Sequence, residues 1–359
     1  MAYREHAYLN TRITLLSGGI KHPDKLVELV TSSNSNIQNL LPTLGLPAQV
    51  AESINAPERL DRQLHKVLLQ EVTLLLRAVN GALRQLIIHW LRQYEIMNIK
   101  AILRARAHGQ HADIRKTELF DIGSFSLLSE ETLRSTEDVN EIFRLMERYG
   151  YSGLAQKARL NYEQRQDVFE LEAMIDRQYY VELIQHSRFL KRKQQKILQP
   201  LIGMMLDRIN LIWLLRYRIN FGMESSHAYY LLVPGGVWLD NLVLMEMLRH
   251  DNLSEVVQHV PLVWKQAVEN TSSVDEIENQ ADQLLYNYYS KYFSQTSDGI
   301  ARLVCYLFLR QQQLKKISIV FKGKQLGIDA ETIISAAGLK IQPEKNVAED
   351  EILTEVKAI

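Results

Sequence analysis

A short segment with a basic–x–basic end occurs three times along the chain, and this repetition constrains the possible folds more than any single motif does. Each copy begins with a polar residue and continues through a run of mostly aliphatic residues. A glycine follows soon after each copy, at Gly109, Gly222 and Gly327. The copies are Asn98-Ile-Lys-Ala-Ile-Leu-Arg-Ala-Arg106, Asn210-Leu-Ile-Trp-Leu-Leu-Arg-Tyr-Arg218 and the weaker Lys316-Ile-Ser-Ile-Val-Phe-Lys-Gly-Lys324.

Two further short sequence segments recur in the same order along the chain, and they support the same alignment of the copies. An Asp-Arg-Gln segment occurs as Leu60-Asp-Arg-Gln-Leu-His65 and Ile175-Asp-Arg-Gln-Tyr-Tyr180, and the third unit keeps only Tyr288-Tyr289. Apolar pairs follow a charged residue at Leu26-Val27, Ile142-Phe143 and Val256-Val257. These elements predict three helical units of about 115 residues. The predicted boundaries are 1–113, 114–228 and 229–343, followed by an acidic tail at 344–359.

The distribution of proline and of apolar residues predicts helices almost throughout. No proline lies between Glu58 and Gln199 or between Leu262 and Gln342, and proline is poorly tolerated inside a helix. In these windows apolar residues recur three and four positions apart, as they do along one face of a helix. We therefore predict an all-α fold of three pseudo-repeated helical domains, which bury a continuous core where neighbouring repeats stack.

Composition argues against several classes of function. Lys plus Arg and Asp plus Glu both total 42 among 359 residues, so no net field attracts nucleic acid or anionic lipid. Cys305 is the one cysteine, which excludes an intrachain disulfide and fits a reducing cytoplasm. The most apolar stretch, 197–223, contains Asp207, Arg208, Arg216 and Arg218, whereas a membrane span needs nearly uncharged sequence. We expect a soluble or peripheral protein without a signal peptide.

No catalytic constellation can be assembled from the sequence. Neither GxxxxGK[ST] nor GxGxxG occurs, so a phosphate-binding loop is not predicted. His108-x-x-His111 lacks the further ligands that a metal site needs. A metal-dependent helical hydrolase centred on His250-Asp251 stays open as an alternative. The segment before these two residues, Glu246-x-Leu248-Arg249, matches Glu131-x-Leu133-Arg134, which is followed by Ser135 and Thr136, as in a polar turn. We predict no catalytic, cofactor-binding or metal-binding residues and no small-molecule substrate.

The recurrent basic pairs are the candidate site, and they allow two interpretations. In the first, the cations complement the helix dipole and pair with carboxylates on neighbouring helices. In the second, they form a charged rim that binds partner subunits. The residues are Arg104 and Arg106, Arg216 and Arg218, and Lys322 and Lys324.

These motifs resemble those of the C subunit of the bacterial and archaeal A/V-type rotary ATPases, which is called the d subunit in the eukaryotic vacuolar enzyme. The resemblance spans nearly the whole chain. Its carriers are Tyr8-Leu-Asn-Thr-Arg12 with Leu15-Leu16, the Asn98 and Asn210 copies, and Ile175-Asp-Arg-Gln-Tyr-Tyr180.

The resemblance implies a non-catalytic rotor component without a cofactor. The fold would be a funnel or wedge with a central concave surface, which receives the central-shaft subunits and sits on the membrane proteolipid ring. Such a protein would transmit torque at the cytoplasmic face of the membrane. The alternative from a different class is an all-helical scaffold whose concave face holds a helical peptide or coiled coil of another assembly.

Overall fold

The computed structural model describes residues 2–20, 24–32, 34–47, 49–52, 57–107, 118–165 and 167–339. No β-strand occurs in these ranges, so the predicted all-α class is confirmed. His108, His111 and the tail 344–359 lie outside the described residues. The helices are α1 Ala2–Leu16, α2 Asp24–Thr31, α3 Asn34–Leu40, α4 Gln49–Glu52, α5 Pro57–Leu76, α6 Gly81–Leu91, α7 Gln93–Ala107, α8 Glu130–Arg134, α9 Val139–Arg148, α10 Ser152–Arg165, α11 Val168–Arg188, α12 Arg192–Leu215, α13 Ser225–Leu231, α14 Asn241–Leu248, α15 Leu253–Gln258, α16 Leu262–Val268, α17 Val274–Gln295, α18 Gly299–Gln325 and α19 Ala330–Ala336.

Side-chain caps determine where several of these helices begin. Asp167, Asp240 and Asp298 each accept hydrogen bonds from two backbone N–H groups of the first turn that follows. Asp138 and Ser273 each accept one such bond. The first N–H groups of a helix have no intrahelical acceptor, so a short polar side chain at this position stabilises the start by about 1 kcal/mol.

The chain packs as two compact units. The larger unit contains residues 1–79 and 191–359, and the smaller unit contains residues 80–190. These are units of packing, and the three sequence repeats stay a prediction.

Helix α18 is the core of the larger unit. It packs against α1, α5, α12 and α17, and buried residues occur along almost its whole length. At Gly323 an added Cβ would lie only 2.6 Å from Cγ1 of Ile333 on α19, so glycine permits this close approach. Cys305 is buried in the same helix, and burial raises the pKa of its thiol. Cys305 therefore packs as a small apolar side chain in this core.

The smaller unit has its own core. Helices α9, α10 and α11 pack in succession, and α11 also packs on α6 and α7. One cluster of buried apolar side chains fills the space between α7, α8, α9, α10 and α11. Its fully buried members include Ile99, Ile102, Leu133, Ile142, Phe143, Met146 and Ile175.

One helix among the described residues has the length and the apolar composition that a membrane span requires. It is Arg192–Asn220, which combines α12 with the π-helical turn Arg216–Asn220. Within its most apolar window, 61% of the residues are buried inside the protein. Because α12 packs on α17 and α18, these apolar side chains supply the core of the larger unit.

Candidate functional site

The first basic residue of each pair forms an ion pair with one of three long helices. We use the term basic-ended helices for α7, α12 with its π-helical turn, and α18; the long helices are α11, α17 and α5. Each ion pair therefore joins one basic-ended helix to one long helix. The pairs are Arg104 with Glu172 at 2.6 Å, Arg216 with Glu278, and Lys322 with Asp61.

The second basic residue of each pair donates to backbone carbonyls near the end of a short helix. Arg106 donates to the carbonyl of Arg134 at the end of α8, at 3.3 Å. Arg218 Nε donates to the carbonyl of His250, just beyond α14, at 3.2 Å. Lys324 Nζ lies 2.8 Å from the carbonyl of Val30 in the last turn of α2. The last carbonyls of a helix have no intrahelical donor, so a cation stabilises them.

All six candidate residues thus make contacts within the chain. The first member of each pair binds a carboxylate on a neighbouring helix, as in the first interpretation, whereas the second member binds backbone carbonyls. Each pair has its own set of partners. The first members nevertheless keep part of their side chains in solvent, with exposed fractions of 50% for Arg104, 41% for Arg216 and 43% for Lys322. These three cations therefore stay accessible to an acidic group outside the chain.

The first residue of each repeated segment forms a side-chain hydrogen bond with the backbone of a residue 22 or 23 positions further along the chain. Asn98 Nδ2 donates to the carbonyl of Phe120, and Phe120 N–H donates back to Asn98 Oδ1, at 2.8 and 2.7 Å. Asn210 makes the same exchange with Val233, at 2.7 and 2.9 Å.

In the third copy, Lys316 Nζ donates to the carbonyl of Gly338 at 3.1 Å. Lys316 and Gly338 are 22 residues apart, like Asn98 and Phe120. An ammonium has no acceptor, so the lysine supplies only the donor half of the exchange that the asparagines make.

A carboxylate three residues before each asparagine accepts backbone N–H groups a few residues beyond the asparagine's own partner. Glu95 accepts the N–H of Leu127 at 2.8 Å and also that of Leu128. Asp207 accepts the N–H groups of Trp238 and Leu239 at 2.9 and 3.0 Å. Neither acid is among the site residues predicted from the sequence, although both stand in a repeated acid-x-x-Asn spacing.

The repeated aspartate of the long helices makes equivalent contacts in two copies. Asp176 on α11 pairs with Lys100 on α7 at 2.6 Å. Asp61 on α5 accepts a hydrogen bond from Ser318 on α18. Ser318 occupies the same position in the third copy as Lys100 does in the first. Positions that match in the sequence therefore also match in their contacts.

Two basic-ended helices finish with an exposed apolar residue followed by a left-handed glycine. Leu326 is 75% exposed and Phe221 is 55% exposed. Gly327 and Gly222, which follow them, have φ of 69° and 60°. Glycine adopts this conformation without strain. Ile328 N–H then returns to the carbonyl of Gly323 at 3.0 Å, as in a Schellman helix end.

The family described as the ATP synthase (C/AC39) subunit matches residues 9–336. The C subunit of the A-type ATP synthase from Methanocaldococcus jannaschii is 21% identical over 342 residues, which cover 92% of this chain and 85% of the relative. The same protein from Methanosarcina mazei is 24% identical over 264 residues, or 72% and 71% of the two chains. That from Thermococcus kodakarensis is 20% identical over 347 residues, or 94% and 91%.

These relatives are named as components of an ATP synthase, in which the C subunit is structural and not catalytic. The resemblance noted in the sequence and the expected non-enzymatic class are confirmed by these matches. The chain belongs to the ATP synthase (C/AC39) subunit family, the family of the C subunits of A/V-type ATPases.

Proposed function

We propose that the chain is a rotor adaptor of a V/A-type ion-translocating ATPase. It joins the central-shaft subunits to the membrane proteolipid ring, and it transmits torque between ATP hydrolysis or synthesis and proton or sodium transport. The observation that carries the proposal is the family match over residues 9–336. In this role the protein is peripheral, at the cytoplasmic face of the membrane. The funnel of three repeats stays part of the proposal.

The contacts between helices suit a part that must transmit torque without bending. Each basic-ended helix is tied to a long helix by ion pairs, and Arg208 on α12 adds bonds to Glu278 and Asp282 on α17, both at 2.8 Å. Tyr289 O–H on α17 donates to the carbonyl of Leu201 on α12, also at 2.8 Å. Close-packed helices with such cross-links deform little under load.

The ends of the basic-ended helices are the surfaces that we assign to partner subunits. At the end of α18, the exposed Leu326 lies four residues beyond the half-exposed Lys322. An apolar anchor beside a cation fits a partner surface with an apolar pocket and acidic neighbours. The charged rim formed by the six basic residues is part of the same proposal.

A pull-down of tagged protein from its native membranes tests the function. After mild detergent extraction, we expect mass spectrometry to identify both the central-shaft subunits and the proteolipid ring. Recovery of neither, under conditions that keep the ATPase complex intact, would contradict the rotor role and favour the all-helical scaffold.

Leu326→Glu tests the assigned surface in the same experiment. A buried carboxylate without a partner is costly at an interface, so we expect recovery of partner subunits to fall at least tenfold. The matched control is Leu15→Glu, which places the same charge at a 70% exposed position on α1. Equal recovery with Leu326→Glu and Leu15→Glu would remove the end of α18 from the interface.

A further inference from the structure

We propose that Glu246, His250 and His259 form a binding site for a divalent transition-metal ion, with Zn²⁺ as the best fit. One ligand atom from each of these residues lies within 4.8 Å of the other two. Glu246 is in the last turn of α14, His250 follows that helix, and His259 follows α15. The proposal is independent of the rotor function.

The ring of His250 is held in the orientation that a metal ligand needs. Its Nδ1 lies 3.1 Å from Glu255 Oε2. Its Nε2 is buried and has no hydrogen-bond partner among the residues that the structure describes. A proton donated from Nδ1 to the carboxylate leaves the lone pair on Nε2, which is the usual arrangement of a zinc-binding histidine with a carboxylate behind it. The missing partner of Nε2 is therefore explained by a metal ion.

The backbone around the three donors is fixed by contacts of its own. Asn252 caps α15 by accepting the N–H of Glu255 at 2.9 Å, and Arg218 holds the carbonyl of His250. The rings of His250 and His259 stack, with their centroids 4.5 Å apart and an angle of 11° between their planes. Two imidazoles nine residues apart in sequence are thus adjacent. Because a metal ion lies in the plane of each imidazole that binds it, the exposed ring of His259 has to turn out of this stack to share an ion with His250.

The donor set selects the class of metal. Two imidazole nitrogens and one carboxylate oxygen suit Zn²⁺, whose remaining position a water molecule would occupy. Glu246 also pairs with Arg249 at 2.5 Å, but both side chains are largely exposed, and an exposed ion pair is exchanged at little cost. Asp251 is not part of the group. A bound ion would hold the end of α14 next to the end of α15.

Zinc binding to the full chain is the direct test. Protein stripped with a chelator and desalted is titrated with ZnCl₂ in a calorimeter, and one ion per chain is expected. His259→Ala and Glu246→Gln should each weaken binding at least tenfold, since each removes a ligand. His259 is exposed, so its variant keeps the fold, which circular dichroism verifies.

Asp251→Ala is the matched control and is expected to bind zinc like the unaltered protein. Zinc should also raise the thermal unfolding midpoint of the unaltered chain and of Asp251→Ala, but not that of His259→Ala. Failure to bind one ion per chain, or equal affinity in His259→Ala, would overturn the proposal.

Discussion

Replacing Arg310 by alanine is expected to lower the free energy of unfolding by about 3–5 kcal/mol, because it leaves a buried carboxylate without its cation. Arg310 is 1% exposed and lies 2.8 Å from Glu71 Oε1. The same guanidinium donates to the carbonyls of Leu44 and Gly45, both at 2.8 Å. The substitution therefore removes a donor from two carbonyls and the cation from Glu71, which keeps the hydrogen bond from the Tyr306 hydroxyl at 2.7 Å. It also opens a cavity in the larger unit.

Urea denaturation followed by circular dichroism measures this loss. Arg249→Ala is the control, because Arg249 also pairs with a glutamate but is 70% exposed. Exposed pairs contribute only about 0–1 kcal/mol, so this variant should unfold near the midpoint of the unaltered protein. A similar, small loss for both variants would mean that the Arg310 cluster does not hold the larger unit together.

The stability of the protein is expected to fall as the pH rises from about 4 to 7, through the ionisation of Asp207. Burial raises the pKa of Asp207 from its ordinary value of 3.8 to about 6 in the folded protein, even though two backbone N–H groups favour its charged form. The folded state therefore binds the proton more tightly than the unfolded state. This contribution is complete below pH 4 and is lost by about pH 7, and a shift of that size corresponds to about 3 kcal/mol.

Asp207→Asn isolates the effect, because an amide has no proton to lose in this range. The difference in unfolding free energy between the unaltered protein and the variant is measured at several pH values from 4 to 7. We expect the unaltered protein to lose about 3 kcal/mol relative to the variant across that range. A constant difference would show that Asp207 keeps its ordinary pKa in the folded state.

Helical class and repeated positions were accessible from the sequence because both are periodic. The spacing of apolar residues predicts helices, and self-comparison aligns Asn98 with Asn210 and Asp61 with Asp176. Each aligned pair makes matching contacts in the structure. Periodicity therefore predicts which residues occupy corresponding positions, and the division into three units stays a prediction.

Partners distant in the sequence were not accessible in this way. Nothing near Arg310 in the sequence indicates that Glu71 lies against it, and His259 is separated from His250 by a whole helix. The π-helical turn at Arg216–Asn220 also escapes prediction, because the spacing of its two arginines is the same as in α7. These features depend on how helices pack, which one sequence does not report.

A three-component binding measurement tests whether this chain joins the central shaft to the proteolipid ring. Vesicles that carry the proteolipid ring are mixed with a headpiece that contains the central shaft, with and without the purified chain, and then sedimented. We predict that the headpiece sediments with the vesicles only when the chain is present. Equal sedimentation without the chain, or none with it, would contradict the rotor-adaptor account.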